Sequence, residues 1–470
     1  MSQNVILINC SKSFLQNIKK LDKDIKVCVF LAFKEQVDKN LVDLFISRSS
    51  TDEQFNIMYQ NDYNLSFEEI EKFRPTQLKV EHYMQRASYD FNVISYKYYL
   101  ALSFWLDYFN KFKIDMVFVG EVEHGEIQDS VVMDVAKYKK VPIYKLGFSS
   151  GFKDFNIHHI LNYNNRTIIN LSKLSHFQAS NINLKEYINK LKPSKIGFKH
   201  PIKYFFKNRI FTLASAMTQF FRSPKSLYKR AKKYPINRLA KYQILNSSIY
   251  ISKLTKLYKQ ISLKPNLDED YIYYPLHQEP EASFMARSAL NSQIFIIYLI
   301  ASTLQKLKSN IKIYIKEHPA QFFVYEKESY FFSNIDSYRS FRYYALISQM
   351  PNVVLCDIQT NSSDLIKNSK AVASICGSSL IEAAIYKKPI LCFGNALSFV
   401  EILNESFNIN SRENLEKALK EILQGFNPKY EDLNQCLNTF TLGFSAKKLE
   451  ENDQKLADIF LDLLHLRQME

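Results

Sequence analysis

At 470 residues the chain is about three domain equivalents of ~150 residues, and its 46% hydrophobic and 23% charged content is that of a globular protein, which excludes a disordered or fibrous chain. Glycine numbers only 9, far below the usual ~7%, and there is no GxGxxG or GxxxxGK[ST] loop, so a dinucleotide-binding dehydrogenase and a P-loop nucleotidase are disfavoured. The net charge of +15 is concentrated: Tyr187 to Leu267 holds 19 Lys or Arg and no Asp or Glu, and the remainder is slightly acidic.

The first 150 residues alternate between short β-branched runs and helical stretches. Val5 to Asn9 and Ile25 to Leu31 predict buried strands, and Val93 to Phe112 a long aromatic-rich helix. Strand Met116 to Gly120, helix Gln128 to Tyr138 and strand Val141 to Leu146 complete a βαβαβ pattern, which calls for a parallel sheet with helices on both faces. The basic segment follows, and its prolines at 193, 201, 224 and 235 permit short helices only.

After Pro265 the alternation resumes. Strands are expected at Tyr271 to Leu276, Ile311 to Lys316, Val353 to Cys356, Ala371 to Cys376 and Pro389 to Phe393, with helices between them and a closing amphipathic helix at the end. The expected fold class is α/β: two doubly wound, Rossmann-like domains facing a cleft. The N-terminal domain is assigned 1–186, the basic helical linker 187–267 and the C-terminal domain, closing helix included, 268–470. Ligands of such folds bind at the carboxyl ends of the strands, so chemistry is sought there.

Four groups of residues lie on those edges. Lys316-Glu317-His318-Pro319 leaves the strand of alternating Ile311, Ile313 and Ile315, where an imidazole beside an ammonium suits a phosphate. His200-Pro201, with no strand before it, is the contrasting case. Cys376-Gly377-Ser378-Ser379 opens a helix and offers free N–H groups to an anion, while Glu382, one turn in, suits ribose hydroxyls or the far half of a capping box. His277-Gln278-Glu279-Pro280-Glu281 crowds polar groups at another strand exit, as an orienting loop or a solvated one. In the N-terminal half, Gly120-Glu121-Val122-Glu123-His124-Gly125-Glu126 brings carboxylates and a histidine to a strand end. They are candidates for a general base, with metal binding and a solvated loop as competing readings.

Asp268-Glu269-Asp270 matches the DxD of metal-dependent sugar transferases, but it precedes its strand and so falls at the wrong sheet edge. Six cysteines without a CxxC pair, mostly in apolar runs, read as free thiols of a reducing compartment. The longest apolar run, Ile294 to Ala301, is far short of the ~20 residues of a membrane span, and Met1 to Leu7 lacks the features of a signal peptide. A cytoplasmic protein is expected. In the basic segment, Phe205, Phe206, Ile210, Phe211, Phe220 and Phe221 interleave with the charges. The segment reads first as contact with an anionic membrane surface, through Lys225, Lys229, Arg230, Lys232 and Lys233. A solvated interdomain helix is the competing reading, and nucleic acid ranks last.

In order and spacing, Tyr274-Pro275-Leu276-His277 to Ser283, Tyr314-Ile315-Lys316-Glu317-His318-Pro319, Arg339 with Tyr343-Tyr344, Cys376-Gly377-Ser378 to Glu382-Ala383 and Lys388-Pro389 to Phe393-Gly394 resemble the bacterial capsule polysaccharide biosynthesis proteins. These are similar to the GT-B glycosyltransferases that include the capsule β-Kdo transferases. The resemblance covers about 130 residues of the C-terminal half, and the N-terminal half matches only in pattern. One departure is that family members usually carry a glycine two or three residues after the GS turn, where this chain has Ser379-Leu380-Ile381.

The resemblance implies transfer from a nucleotide-sugar donor, often a CMP-activated keto-sugar, with no cofactor and no metal. It puts His318 and the Gly377-Ser378 turn near the donor phosphate; with the reading of the residues, Gln278, Glu281, Lys316, Pro319, Arg339, Ser379 and Glu382 are further donor candidates, and Glu121, Glu123 or His124 is the candidate base from its strand-end position alone. A lipid-linked or oligosaccharide acceptor, other capsule-assembly proteins and the inner face of the cytoplasmic membrane are the expected partners. A CDP-glycerol-type phosphotransferase and a non-catalytic assembly protein are the alternatives.

Overall fold

The computed structural model describes residues 3–33, 38–48, 57–58, 61–85, 91–122, 126–151, 155–179, 223, 225–226, 240–279, 292–322, 338–394, 403–430, 433–445 and 447–466. Two parallel-rich sheets organise them.

The N-terminal sheet is built from β1 (Gln3–Ile8), β2 (Ile25–Ala32), β3 (Leu44–Ser47), β4 (Met116–Val119), β5 (Ile143–Gly151), β6 (Phe155–Asn162) and the short β7 (Thr167–Ile168). The C-terminal sheet comprises β8 (Tyr271–Pro275), β9 (Lys312–Lys316), β10 (Val353–Cys356), β11 (Ala371–Ser374), β12 (Ile390–Cys392) and β13 (Phe407–Asn408), all parallel. A last strand, β14 (Leu442–Ser445), pairs antiparallel with β6. The orders are β3-β2-β1-β4-β5-β6-β14 and β10-β9-β8-β11-β12-β13. Both therefore follow the doubly wound 3-2-1-4-5 order. Strand order reverses beside β1 and β4 in one sheet and beside β8 and β11 in the other, and each reversal opens a crevice at the carboxyl edge.

Helices cover both faces. On the N-terminal sheet, α1 (Lys12–Leu21) starts where Ser11 Oγ accepts from the Phe14 N–H at 2.9 Å. The other face carries α2 (Phe67–Gln85), α3 (Phe91–Lys111) and α4 (Ile127–Tyr138). Along α3, Ile94, Tyr98, Ala101, Leu102, Trp105 and Leu106 form one buried stripe at helical spacing. Successive residues of β1 alternate between the two cores: Ile6 and Ile8 join α3 and α4, and Val5 and Leu7 join α1. The C-terminal sheet is sandwiched in the same way by α5 (Ala240–Ile261), α6 (Gln293–Lys306), α7 (Phe341–Ser348) and α10 (Arg412–Leu423) on one side, and by α8 (Ser362–Asn368), α9 (Ser378–Ile385) and α11 (Leu433–Phe440) on the other.

Two boundaries differ from the sequence reading. The chain from 240 onward is part of the C-terminal core: α5 buries Ile251, Leu254 and Tyr258, and the Tyr258 hydroxyl donates to the Cys356 carbonyl at 2.7 Å. Its lysines 253, 256, 259 and 264 face solvent, which is the packed-helix reading of the basic segment for this stretch. The closing helix α12 (Leu449–Leu466) forms, yet it returns with β14 to the N-terminal sheet. There Phe460 meets Phe14 and Phe118 edge-on at 5.7 and 5.3 Å. An apolar stripe reveals that a helix is buried; it does not reveal which sheet it covers.

Among the described residues no helix is long and apolar enough to cross a membrane. Lys225 is exposed, and Lys229, Arg230, Lys232 and Lys233 lie outside the described residues.

Candidate active site

At the carboxyl edge of the C-terminal sheet, β8 and β11, which flank the switch point, lead to His277 and to the Cys376-Gly377 turn, and β9, next to β8, leads to His318. The His277 imidazole Nε2 lies 3.1 Å from Ser374 Oγ, which donates to the Cys376 carbonyl at 3.0 Å, so the β8 and β11 exits are fastened together. Gly377 adopts φ 102°, a conformation side chains disfavour, and an added Cβ would meet only the His277 ring, at 3.8 Å. As N-cap of α9, Gly377 contributes no side-chain bond to the helix start, and Gly377 and Ser378 are exposed. The first N–H groups of α9 thus point to solvent beside an imidazole, which is an anion-binding arrangement.

Beneath this edge runs a buried polar network. Arg339, with no exposed surface, donates from Nε to Glu317 Oε2 at 2.9 Å, pairs with Glu279, and donates from Nη2 to the His277 carbonyl at 2.7 Å. Its guanidinium lies 4.3 Å over the Tyr343 ring, and the Tyr344 hydroxyl donates to Glu317 Oε2 at 2.6 Å. Gln293 bonds both the His277 N–H and Glu279, and Gln321 exchanges bonds with the Glu279 backbone. Burial pushes the Glu317 carboxyl upward, while the guanidinium against it favours the ionised form. Arg339, expected at the donor, is saturated by protein groups. It positions the loops that carry His277 and His318, since the His318 N–H in turn bonds Glu317 Oε1 at 2.8 Å.

The other donor candidates divide. His318 is exposed, and desolvation of its ring, aided by the Lys316 ammonium, lowers its pKa to about 4. At neutral pH it offers a hydrogen bond rather than a charge. Pro319, half-buried, starts the 3₁₀ turn after it. Lys316 is buried, with its ammonium 2.7 Å from Ser362 Oγ, and burial lowers its pKa to about 8. Glu382 accepts from Ser363 Oγ at 3.0 Å and sits too far into α9 for a capping box. Lys316 and Glu382 therefore meet the adjacent serines of α8. Gln278 is half-buried at the β8 exit, Ser379 half-buried in the first turn of α9, and Glu281 lies outside the described residues. The acidic triplet stays at the amino edge, where Asp270 pairs with Lys370 at 3.5 Å.

The N-terminal switch point holds a second cluster. Glu121 leaves β4 with its carboxylate half exposed, and Glu123 and His124 lie outside the described residues. Asn9, at the β1 exit with φ 52°, donates from Nδ2 to the Glu121 carbonyl at 3.1 Å. Arg48 donates to Asn9 Oδ1 at 2.5 Å and grips both oxygens of the buried Asp129, whose carboxyl is pushed upward by burial and held against this by Arg48. Glu121 Oε2 lies 3.1 Å from Nε2 of His158 on β6. Sequence reasoning reached Glu121, but it missed Asn9 and Arg48, which follow the ends of β1 and β3, and His158, which lies within β6. On the C-terminal side it quoted His277 without giving it a role.

The end of α2 joins the two halves. The His82 ring lies 6.2 Å from that of Tyr338, next to Arg339, and Tyr83 packs in the core of the C-terminal sheet.

No protein-family profile and no curated protein sequence matches the chain. Among solved structures it is similar to the UDP-GlcNAc 2-epimerase from Methanocaldococcus jannaschii, at 12% identity over 99% of this chain and 100% of that one, TM-score 0.25. It is similar to KpsC, a beta Kdo 2,7 transferase from Thermosulfurimonas dismutans, at 12% over 97% and 99%, TM-score 0.32, and to the calicheamicin glycosyltransferase CalG4 at 9% over 97% and 96%, TM-score 0.24. These likenesses carry no argument about chemistry, and the assignment of two Rossmann-like domains, a GT-B-like fold class, stands on the chain's own strand orders.

Proposed function

We propose that the protein is a glycosyltransferase of bacterial capsule or surface polysaccharide synthesis, which moves a sugar from a nucleotide-activated donor to a lipid-linked or oligosaccharide acceptor. The observation that carries the reading is that His318, His277 and the uncapped start of α9 follow three adjacent strands at one carboxyl edge, with the His277 ring beside Gly377, an arrangement suited to a leaving phosphate. The motif resemblance supports a capsule context and a CMP-linked keto-sugar. The N-terminal carboxylates supply a base for direct displacement at the anomeric carbon. The basic residues from Lys225 to Lys233 suit attachment to an anionic inner membrane face, and vesicle sedimentation is the test of that attachment.

Titration calorimetry with CMP, CDP, UDP and GDP tests the donor assignment. One nucleotide should bind, and His318→Ala and Ser378→Ala should each weaken it by ~1 to 3 kcal/mol without unfolding the protein, while His200→Ala does neither. Failure of all four nucleotides to bind, or equal losses from both histidine variants, would overturn the site. Product analysis then separates the alternatives: a glycoside with released nucleotide for this reading, a phosphodiester for a glycerophosphotransferase, and no release for an assembly protein.

A further inference from the structure

Resting on the transferase reading, we infer that Glu121 is the base that deprotonates the acceptor and that His158, on a strand 37 residues away, is the residue that positions it. Glu121 is fixed from two sides. Its backbone is held by Asn9, which is itself held by Arg48 and, through it, by Asp129. Gly120 lets this happen, because a Cβ there would lie 2.2 Å from the Asn9 carbonyl oxygen, so β1 and β4 leave the sheet in backbone contact.

The carboxylate is fixed by His158. A carboxylate only accepts, so His158 Nε2 carries the proton and donates it across the 3.1 Å bond. The ring is buried, with Phe444 4.9 Å away on one side and Phe148 edge-on at 5.6 Å. Among the described residues its buried Nδ1 has no hydrogen-bond partner, so the polar contact the ring makes there is the one that orients Glu121. Oε2 is occupied by His158 and the carboxylate is half exposed, so Oε1 is the oxygen left for the acceptor.

In the step itself, Oε1 takes the proton of the acceptor hydroxyl as that oxygen bonds to the anomeric carbon. The bond from the anomeric carbon to the donor phosphate breaks, and its electron pair leaves on the phosphate oxygen toward the α9 N–H groups. Atoms and charge balance without a co-reactant.

The test uses CMP-Kdo and UDP-GlcNAc with water as the acceptor, so that nucleotide release reports turnover, alongside nucleotide Kd and melting temperature. Glu121→Gln should lower kcat ~100-fold or more, with Kd and melting temperature near wild type. His158→Gln keeps an N–H where Nε2 stood and should retain most activity. His158→Phe should lose ~10-fold or more in kcat with KM unchanged. Nucleotide binding with wild-type turnover in Glu121→Gln overturns the base assignment alone. Equal losses in His158→Gln and His158→Phe overturn the positioning role. A wild-type protein that neither binds nor cleaves either donor overturns the transferase reading and this assignment with it.

Discussion

Arg339 and His318 sit at neighbouring loops and differ in what surrounds them. The guanidinium satisfies two buried carboxylates and a carbonyl, so its removal strands Glu279 and Glu317 in the protein interior. Arg339→Ala should cost about 3 to 5 kcal/mol in chemical denaturation, and Arg339→Lys should recover only part of this because one ammonium cannot span the three acceptors. His318→Ala, at an exposed position, should stay within about 0.5 kcal/mol of wild type. Denaturation curves that rank the two in the opposite order would contradict the positioning role. The sequence displayed both residues as polar groups near strand exits, and strand context set His318 apart from His200, which lies outside the described residues. It could not separate a ligand contact from a buried strut, because partners 22 and 60 residues away decide that. His158 was illegible for a related reason. His158 and His159 are adjacent on a strand and so face opposite sides, and which side meets Glu121 depends on the pairing of β6 with β5 and β14.

At the level of strands and turns, the scarce glycines sort into two physical cases that one substitution distinguishes. At Gly120 an alanine would collide with the Asn9 carbonyl oxygen at 2.2 Å, backbone against backbone, so β1 and β4 would have to part. At Gly377 there is room for the methyl group, and the cost comes from φ 102° instead, of order 1 to 3 kcal/mol. Gly120→Ala should therefore lower the melting temperature and turnover together while sparing nucleotide affinity. Gly377→Ala should weaken nucleotide binding with a smaller loss of melting temperature. Calorimetry and thermal melts on the pair provide the check, and identical profiles would show that the two turns do not serve separate half-sites. Most strands of the C-terminal half were legible to within a residue or two, since short β-branched runs buried on both faces leave a strong signal. β3, β6 and β14 were not, because edge and antiparallel strands of four to eight residues without a bounding glycine or proline resemble the loops around them.

For the molecule as a whole, the charge distribution concerns location. Attraction of about 1 kcal/mol per Lys or Arg near anionic lipid adds up over a cluster and is screened by salt. Sedimentation with anionic vesicles should be strong at low salt, weak at high salt and absent with neutral vesicles. Replacing Lys225, Lys229, Arg230, Lys232 and Lys233 with Gln should release the protein and leave nucleotide turnover intact. Unchanged vesicle binding in that variant would sink the membrane attachment. The two-domain plan was readable from the alternation of strands and helices, whereas the return of β14 and α12 to the first sheet was not, because periodicity carries no address.

That return sets an order of events during synthesis. The N-terminal sheet lacks β14 and the cover of α12 until the ribosome has passed residue 466, after the C-terminal sheet and its helices have been translated. Until then Phe14 and Phe118 miss their partner Phe460 and present an apolar face that a chaperone, or another nascent copy, could seize. The last strand and helix act as a latch: the half that carries Glu121 is the first to be made and the last to be closed.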